Sequence, residues 1–174
     1  MLSKTLFNMT PPIINYYTDP DEFTDALKGK RGFYILLVEV SKNAEIRYMK
    51  GEMSVNSGFY IYIGSAMATL SGRVSRYIRG PENIHWHIDR LLLYSKVNKI
   101  VAVPSDRRLE CRVAQFIGGI LGWSSGVAGF GSTDCGCPSH LFFISNKGLI
   151  EKLLKEEIWR GIDYFPEEIF CLSY

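Results

Sequence analysis

The run Phe59-Tyr60-Ile61-Tyr62-Ile63-Gly64, introduced by Ser57-Gly58, constrains the fold more than any other stretch of the chain. Uncharged, aromatic and β-branched residues in succession suit a buried strand. A second such run, Gly32-Phe33-Tyr34-Ile35-Leu36-Leu37-Val38-Glu39-Val40, lies upstream, and Lys42-Asn43 supplies a turn after it. An alternating stretch over residues 45–50 stands between the two runs and reads as a further strand. Strands joined by such short connections predict an antiparallel meander.

The pattern then changes period. Over residues 69–79, Leu70, Val74, Tyr77 and Ile78 share one helical side, while Arg73, Arg76 and Arg79 lie mostly on the other. Gly80-Pro81 ends that helix. Asp19-Pro20-Asp21-Glu22 provides an N-cap, a first-turn proline and first-turn acids for a short helix reaching about residue 28. Further helices are predicted over residues 86–94, from 106 to about 118 behind a Ser105 cap, and over 148–160. Strands are predicted over residues 99–103, ended by Pro104, and over 141–144. The expected class is α/β, with a small antiparallel or mixed sheet flanked by helices. Residues 1–30 read as a lead with a short helix, 31–160 as the domain, and 161–174 as a tail.

Composition narrows the function classes. With 47% hydrophobic and 22% charged residues among 174, the chain can bury a core, and wholesale disorder is disfavoured. Its least charged stretch, residues 113–133, is interrupted by Gly118, Gly119, Gly122, Gly126 and Gly129, so no membrane helix is expected. The start lacks the charged and apolar regions of a secretory signal, and the four cysteines are too few for a disulfide scaffold, so a cytoplasmic protein is expected. Net charge is only +2, yet residues 71–112 carry nine basic against four acidic side chains. That concentration is either a pair of solvated helix faces or a positive field for a polyanion.

A strand opening Gly32-Phe33-Tyr34, a later strand ending Tyr62-Ile63-Gly64, a helix with Arg73 and Tyr77 one turn apart, and Glu110 on a helix after another strand form an ordered set. This order resembles the GIY-YIG nuclease superfamily. The further motifs His85-Trp86-His87-Ile88-Asp89, Glu110-Cys111 and Asp134-Cys135-Gly136-Cys137-Pro138-Ser139-His140-Leu141 look like an uncharacterised prokaryotic branch of it. The resemblance implies a GIY-YIG-like core acting on nucleic acid, DNA more than RNA, as a metal-dependent endonuclease with repair or structured DNA as substrate. Between Tyr34 and Tyr62 lie 27 residues, so an inserted strand must be accommodated.

By the same resemblance, Glu110 holds one Mg²⁺ or Mn²⁺; a carboxylate suits such a hard cation, whose shell water and phosphate can complete. Arg73 offers a planar fork of donors to the scissile phosphate. Tyr34 is the expected general base, with its pKa lowered by Arg73 and the metal, and Tyr62 orients water or phosphate, or the two roles are reversed. Tyr77, on the Arg73 side of its helix, assists proton transfer or positioning. Arg76, Arg79, Arg107 and Arg108 are candidate phosphate contacts. The family's asparagine after the glutamate helix has no counterpart between Asn98 and Asn146, leaving Asp134, Ser139 or His140 as substitutes.

Cys135, Cys137 and His140, together with His85 and His87, are candidate zinc donors by ligand type, although Cys-x-Cys is tighter than the usual spacing. Otherwise the cysteines pack as small buried hydrophobes and His85 and Asp89 cap or pair locally. Two other functions remain open at this level: a nucleic-acid-binding module without chemistry, and a zinc-stabilised interaction domain.

Overall fold

In the computed structural model, which describes residues 10–48, 51–80 and 82–174, helices flank a central sheet on both faces. The chain opens with β1 (Ile13–Tyr17) and α1 (Pro20–Ala26), then β2 (Gly32–Val40), β3 (Ala44–Tyr48), β4 (Gly51–Val55) and β5 (Gly58–Ala66). Next come α2 (Leu70–Arg79), α3 (His87–Leu91), β6 (Ser95–Pro104), α4 (Glu110–Leu121) and β7 (Leu141–Ile144). The last helical stretch runs through α5 (Leu149–Lys152), a π-helical turn over Leu153–Glu157 and α6 (Ile158–Gly161), and β8 (Glu168–Ser173) follows.

Six strands form one mixed sheet in the order β1-β8-β6-β2-β5-β7, with β1 and β8 parallel and the other neighbours antiparallel. Among the described residues β3 and β4 pair only with each other, so the insertion between the two long strands is a separate hairpin. Side chains of a strand alternate between faces, and the core divides accordingly. Tyr34, Leu36, Val38, Tyr60 and Tyr62 pack on one face with Phe23 of α1, Leu70, Val74 and Tyr77 of α2, and Ile88 of α3. Phe33, Ile35, Leu37, Ile61 and Ile63 pack on the other with Val113, Ala114 and Ile117 of α4 and with Leu154, Ile158 and Trp159. β2 sits in the middle of the sheet with both faces covered, which explains its continuous apolar run.

Several boundaries depart from the sequence reading. The stretch 161–174 holds β8, which pairs with β6, and the lead 1–30 holds β1, which pairs with β8. The β1–β8 pairing joins residues 155 positions apart, Ile13 with Glu168, and the β6–β8 pairing joins Lys99 with Ser173, separations that no local pattern reports. β6 starts at Ser95 rather than at 99, because residues 95–98 continue the ladder opposite β2, and α3 correspondingly ends at Leu91. α4 starts at Glu110 rather than at 106. Ser105 Oγ accepts from the Arg107 backbone N–H at 3.0 Å, closing a turn of its own in place of a helix cap. That shift puts Glu110 in the first turn, where the helix dipole favours a carboxylate. Residues 49 and 50 of the predicted strand and Pro81 lie outside the described residues, as do residues 1–9. No helix among the described residues is long and apolar enough to cross a membrane.

Candidate functional site

The β2–β5 register builds the first half of the site. Tyr34 stands directly across from Gly64, and its ring lies over that glycine: a Cβ there would meet the phenol oxygen, with Tyr34 Cε2 only 2.8 Å away. The glycine of Tyr62-Ile63-Gly64 therefore makes room for the tyrosine of the partner strand. Tyr62, two positions earlier on the same face, has its ring centroid 6.3 Å from that of Tyr34. From α2, Tyr77 brings its hydroxyl to 2.6 Å from the Tyr34 hydroxyl. Arg73, one turn earlier on α2, places its positive charge near all three phenols.

Burial raises the pKa of all three phenols, and for Tyr34, the most deeply placed, it does so well beyond the ordinary value near 10.0. The Tyr62 and Tyr77 hydroxyls add to the rise at Tyr34, while the Arg73 guanidinium pulls the other way and does not prevail. Arg73 by itself thus does not produce the lowering expected at Tyr34 from Arg73 and a metal together, because burial penalises a phenolate more than one neighbouring cation rewards it.

Tyr34, Tyr62, Arg73 and Glu110 line one cleft of about 380 Å³, which Arg108 and Asp134 also reach. Glu110 enters it from the first turn of α4, and its Oε2 is buried without a hydrogen-bond partner among the described residues. A buried carboxylate oxygen left in that state is costly unless a cation or donor meets it. The cleft thus pairs an acceptor that suits a hard cation with a guanidinium and hydroxyls that suit phosphate oxygens.

At one side of the cleft, Cys111, Cys135, Cys137 and His140 form a candidate metal site, their donor atoms all within 4.8 Å of one another. Cys111 follows Glu110 on α4, Cys135 and Cys137 come from the glycine-rich loop, and His140 immediately precedes β7. His140 Nδ1 lies 3.2 Å from the Ile63 carbonyl oxygen, so it carries the proton and donates. Nε2 then faces sulfur with its lone pair, 3.4 Å from Cys135 Sγ and 3.9 Å from Cys111 Sγ. Burial lowers the His140 pKa, which keeps the imidazole neutral as a ligand must be. Three thiols and one imidazole in a closed group are the donor set of a structural zinc centre. Cys111, read in the sequence only as part of the Glu110-Cys111 motif, is not among the expected zinc donors because it lies 24 positions before Cys135, with no paired-cysteine spacing to mark it.

The remaining candidates divide. His85 and His87 stand outside the thiol cluster. His87 Nδ1 accepts from the Gly131 backbone N–H at 3.3 Å, and His85 packs edge-on against Trp86. Arg76 is committed to a fully buried Asp89, 2.8 Å away, and to the Asn83 carbonyl, so it braces the fold. Arg79 lines a different groove beside Lys96 and Tyr174, and Arg107 lies over the Tyr164 ring. Of the four proposed phosphate contacts, Arg108 alone lines the cleft. Ser139 is buried and spends its hydroxyl on the Val127 and Leu141 backbone, whereas Asp134 and His140 line the cleft.

No curated protein and no solved structure matches the chain. Residues 33–160, which include β2 from its second residue onward, β5, α2, α4 and the whole thiol cluster, match the family described as "Domain of unknown function DUF123". The chain therefore belongs to the DUF123 family.

Proposed function

We propose that this DUF123 domain is a divalent-metal-dependent endonuclease of GIY-YIG type that hydrolyses DNA phosphodiester bonds. The observation that carries the reading is the meeting of Tyr34, Tyr62, Arg73 and Glu110 in one cleft, with Glu110 Oε2 buried and unpartnered among the described residues. Chain order alone did not require those groups to meet.

In this reading Glu110 would hold Mg²⁺ or Mn²⁺, which would supply Lewis-acid polarisation of a bound phosphate. Arg73 neutralises charge growing on the nonbridging oxygens, and Arg108 extends the positive field toward the flanking phosphate. Tyr34 accepts the proton of the attacking water only after losing its own proton to solvent, a form that burial keeps scarce at neutral pH and that grows as pH rises, and Tyr77 holds that oxygen in place through their hydrogen bond. Water oxygen bonds to phosphorus, the ester bond to the leaving oxygen breaks, and that oxygen is protonated from solvent. Tyr62 orients the incoming water or phosphate. The Cys111, Cys135, Cys137 and His140 cluster would hold zinc as a structural ion, which would tie α4 and its Glu110 to the loop before β7.

The test is nicking of supercoiled plasmid and of labelled branched DNA in Mg²⁺ or Mn²⁺ by the wild type, Glu110→Ala and Arg73→Ala. Each substitution is expected to lower the rate about 100-fold or more. A reproducible cleavage that neither substitution lowers places the chemistry elsewhere. Salt-sensitive DNA binding with no cleavage in any metal would select a binding module instead.

A further inference from the structure

The motif His85-Trp86-His87-Ile88-Asp89 has no part in the chemistry above, yet one of its residues, Trp86, lies in the same cleft. Trp86 lines that cleft and keeps 41% of its surface open. An isolated exposed indole would mean little. This one is fixed at both ends. Its backbone N–H donates to Asp89 Oδ2 at 2.8 Å, and the same oxygen accepts from the His85 N–H at 2.9 Å and from Arg76 at 2.8 Å. Asp89 is fully buried, so the loop holding Trp86 is anchored to α2 through a charge that cannot readily leave. The indole itself lies beside Arg73, whose guanidinium carbon is 5.2 Å from the ring centroid.

We infer that Trp86 is a stacking platform for an unpaired base beside the scissile phosphate, which makes single-stranded DNA, or a single-stranded segment of branched DNA, the preferred substrate. The inference rests on the endonuclease reading for the position of that phosphate at Arg73. A phosphate gripped by Arg73 places its own nucleotide within reach of the adjoining indole. In a duplex the base faces are covered by their neighbours, so an indole finds a free face only where the strand is unstacked. Stacking on an aromatic ring is tolerant of sequence, because every base has a π face.

The experiment measures affinities by fluorescence anisotropy without added Mg²⁺ or Mn²⁺ and without a chelator, so that there is no turnover and any bound zinc stays in place, for a labelled 12-nucleotide single strand and the blunt duplex of the same sequence. Trp86→Ala is expected to weaken single-strand binding about 5- to 100-fold and to leave duplex binding within about twofold, whereas Trp86→Phe keeps most of the single-strand affinity. Unchanged duplex affinity also certifies that the variant is folded. With wild-type protein, a strand carrying abasic sites should show the same loss, which needs no substitution at all. Single-strand binding indifferent to both Trp86→Ala and base removal overturns the inference, as does a wild type that binds neither DNA. Cleavage that persists with no Trp86 dependence of binding overturns the inference and leaves the endonuclease reading standing. Trp86-dependent binding without cleavage in Mg²⁺ or Mn²⁺ does the reverse.

Discussion

Replacing Gly64 by alanine tests how the two motif strands make one site. A methyl group at that position would overlap the Tyr34 phenol oxygen and lie 2.8 Å from Cε2, against an ordinary carbon contact of about 3.5–4.0 Å. The ring must therefore retreat by on the order of 1 Å. It has little room, because Tyr34 is 1% exposed and its hydroxyl is held 2.6 Å from that of Tyr77. Overpacking of this kind costs about 1–3 kcal/mol, and loss of the buried hydroxyl pair adds about 0.5–1.5 kcal/mol. A total of roughly 2–4 kcal/mol should lower the Tm by about 5–15 °C in a domain of this size, read by differential scanning calorimetry. A displacement of that order should also reduce plasmid nicking about 100-fold. In a double-mutant cycle, Tyr34→Phe should cost less in the Gly64→Ala background than alone, because the hydroxyl pair is already broken there. A Tm within about 2 °C of wild type, or strictly additive effects of the two substitutions, would refute the packing of Tyr34 over Gly64 as the organising contact.

Two further outcomes follow from the same geometry. Protein purified without added metal should hold about one zinc per chain by plasma emission spectroscopy, and chelation or Cys111→Ser should lower the Tm by at least about 5 °C; an apo protein of unchanged stability removes zinc from the account. Tyr34, Tyr62 and Tyr77 hold their protons more tightly folded than unfolded, so their contribution is complete below about pH 10 and is lost as pH rises past it. Urea melts from pH 8 to 11 should show the midpoint falling at the alkaline end, less steeply for Tyr34→Phe, while cleavage by the wild type rises with pH up to that limit. A flat midpoint, or a cleavage rate that falls over the same range, contradicts a buried phenol as the base.

Much of the framework was legible from local patterns, because each pattern had a local cause. The apolar runs of β2 and β5 announce strands covered on both faces. Asp19 caps α1 as its sequence suggests, accepting from the Asp21 and Glu22 N–H groups. The α2 periodicity buries Leu70, Val74 and Tyr77 and leaves Arg73 and Arg79 less covered. The start of α4 was less legible, since a serine followed by Asp106 fits a helix cap as well as the turn that Ser105 makes. Arg76 reads in the sequence as a candidate phosphate contact, whereas the fold sets a buried Asp89 beside it.

What a residue string carries is local: propensity, periodicity, capping, and the identity of the groups available for chemistry. Those are set by bonds and neighbours within a few positions, and here they define the strands, the helices and the phenol, guanidinium and carboxylate groups. Which groups meet depends on pairings between distant segments, whose closure entropy is repaid only when the whole sheet forms. The register that sets Tyr34 over Gly64, the reach of Cys111 across to Cys135, Cys137 and His140, and the joining of β1 to β8 all belong to that second level. So does the rise in the Tyr34 pKa, since burial is a property of the assembled layers and not of any tyrosine by itself.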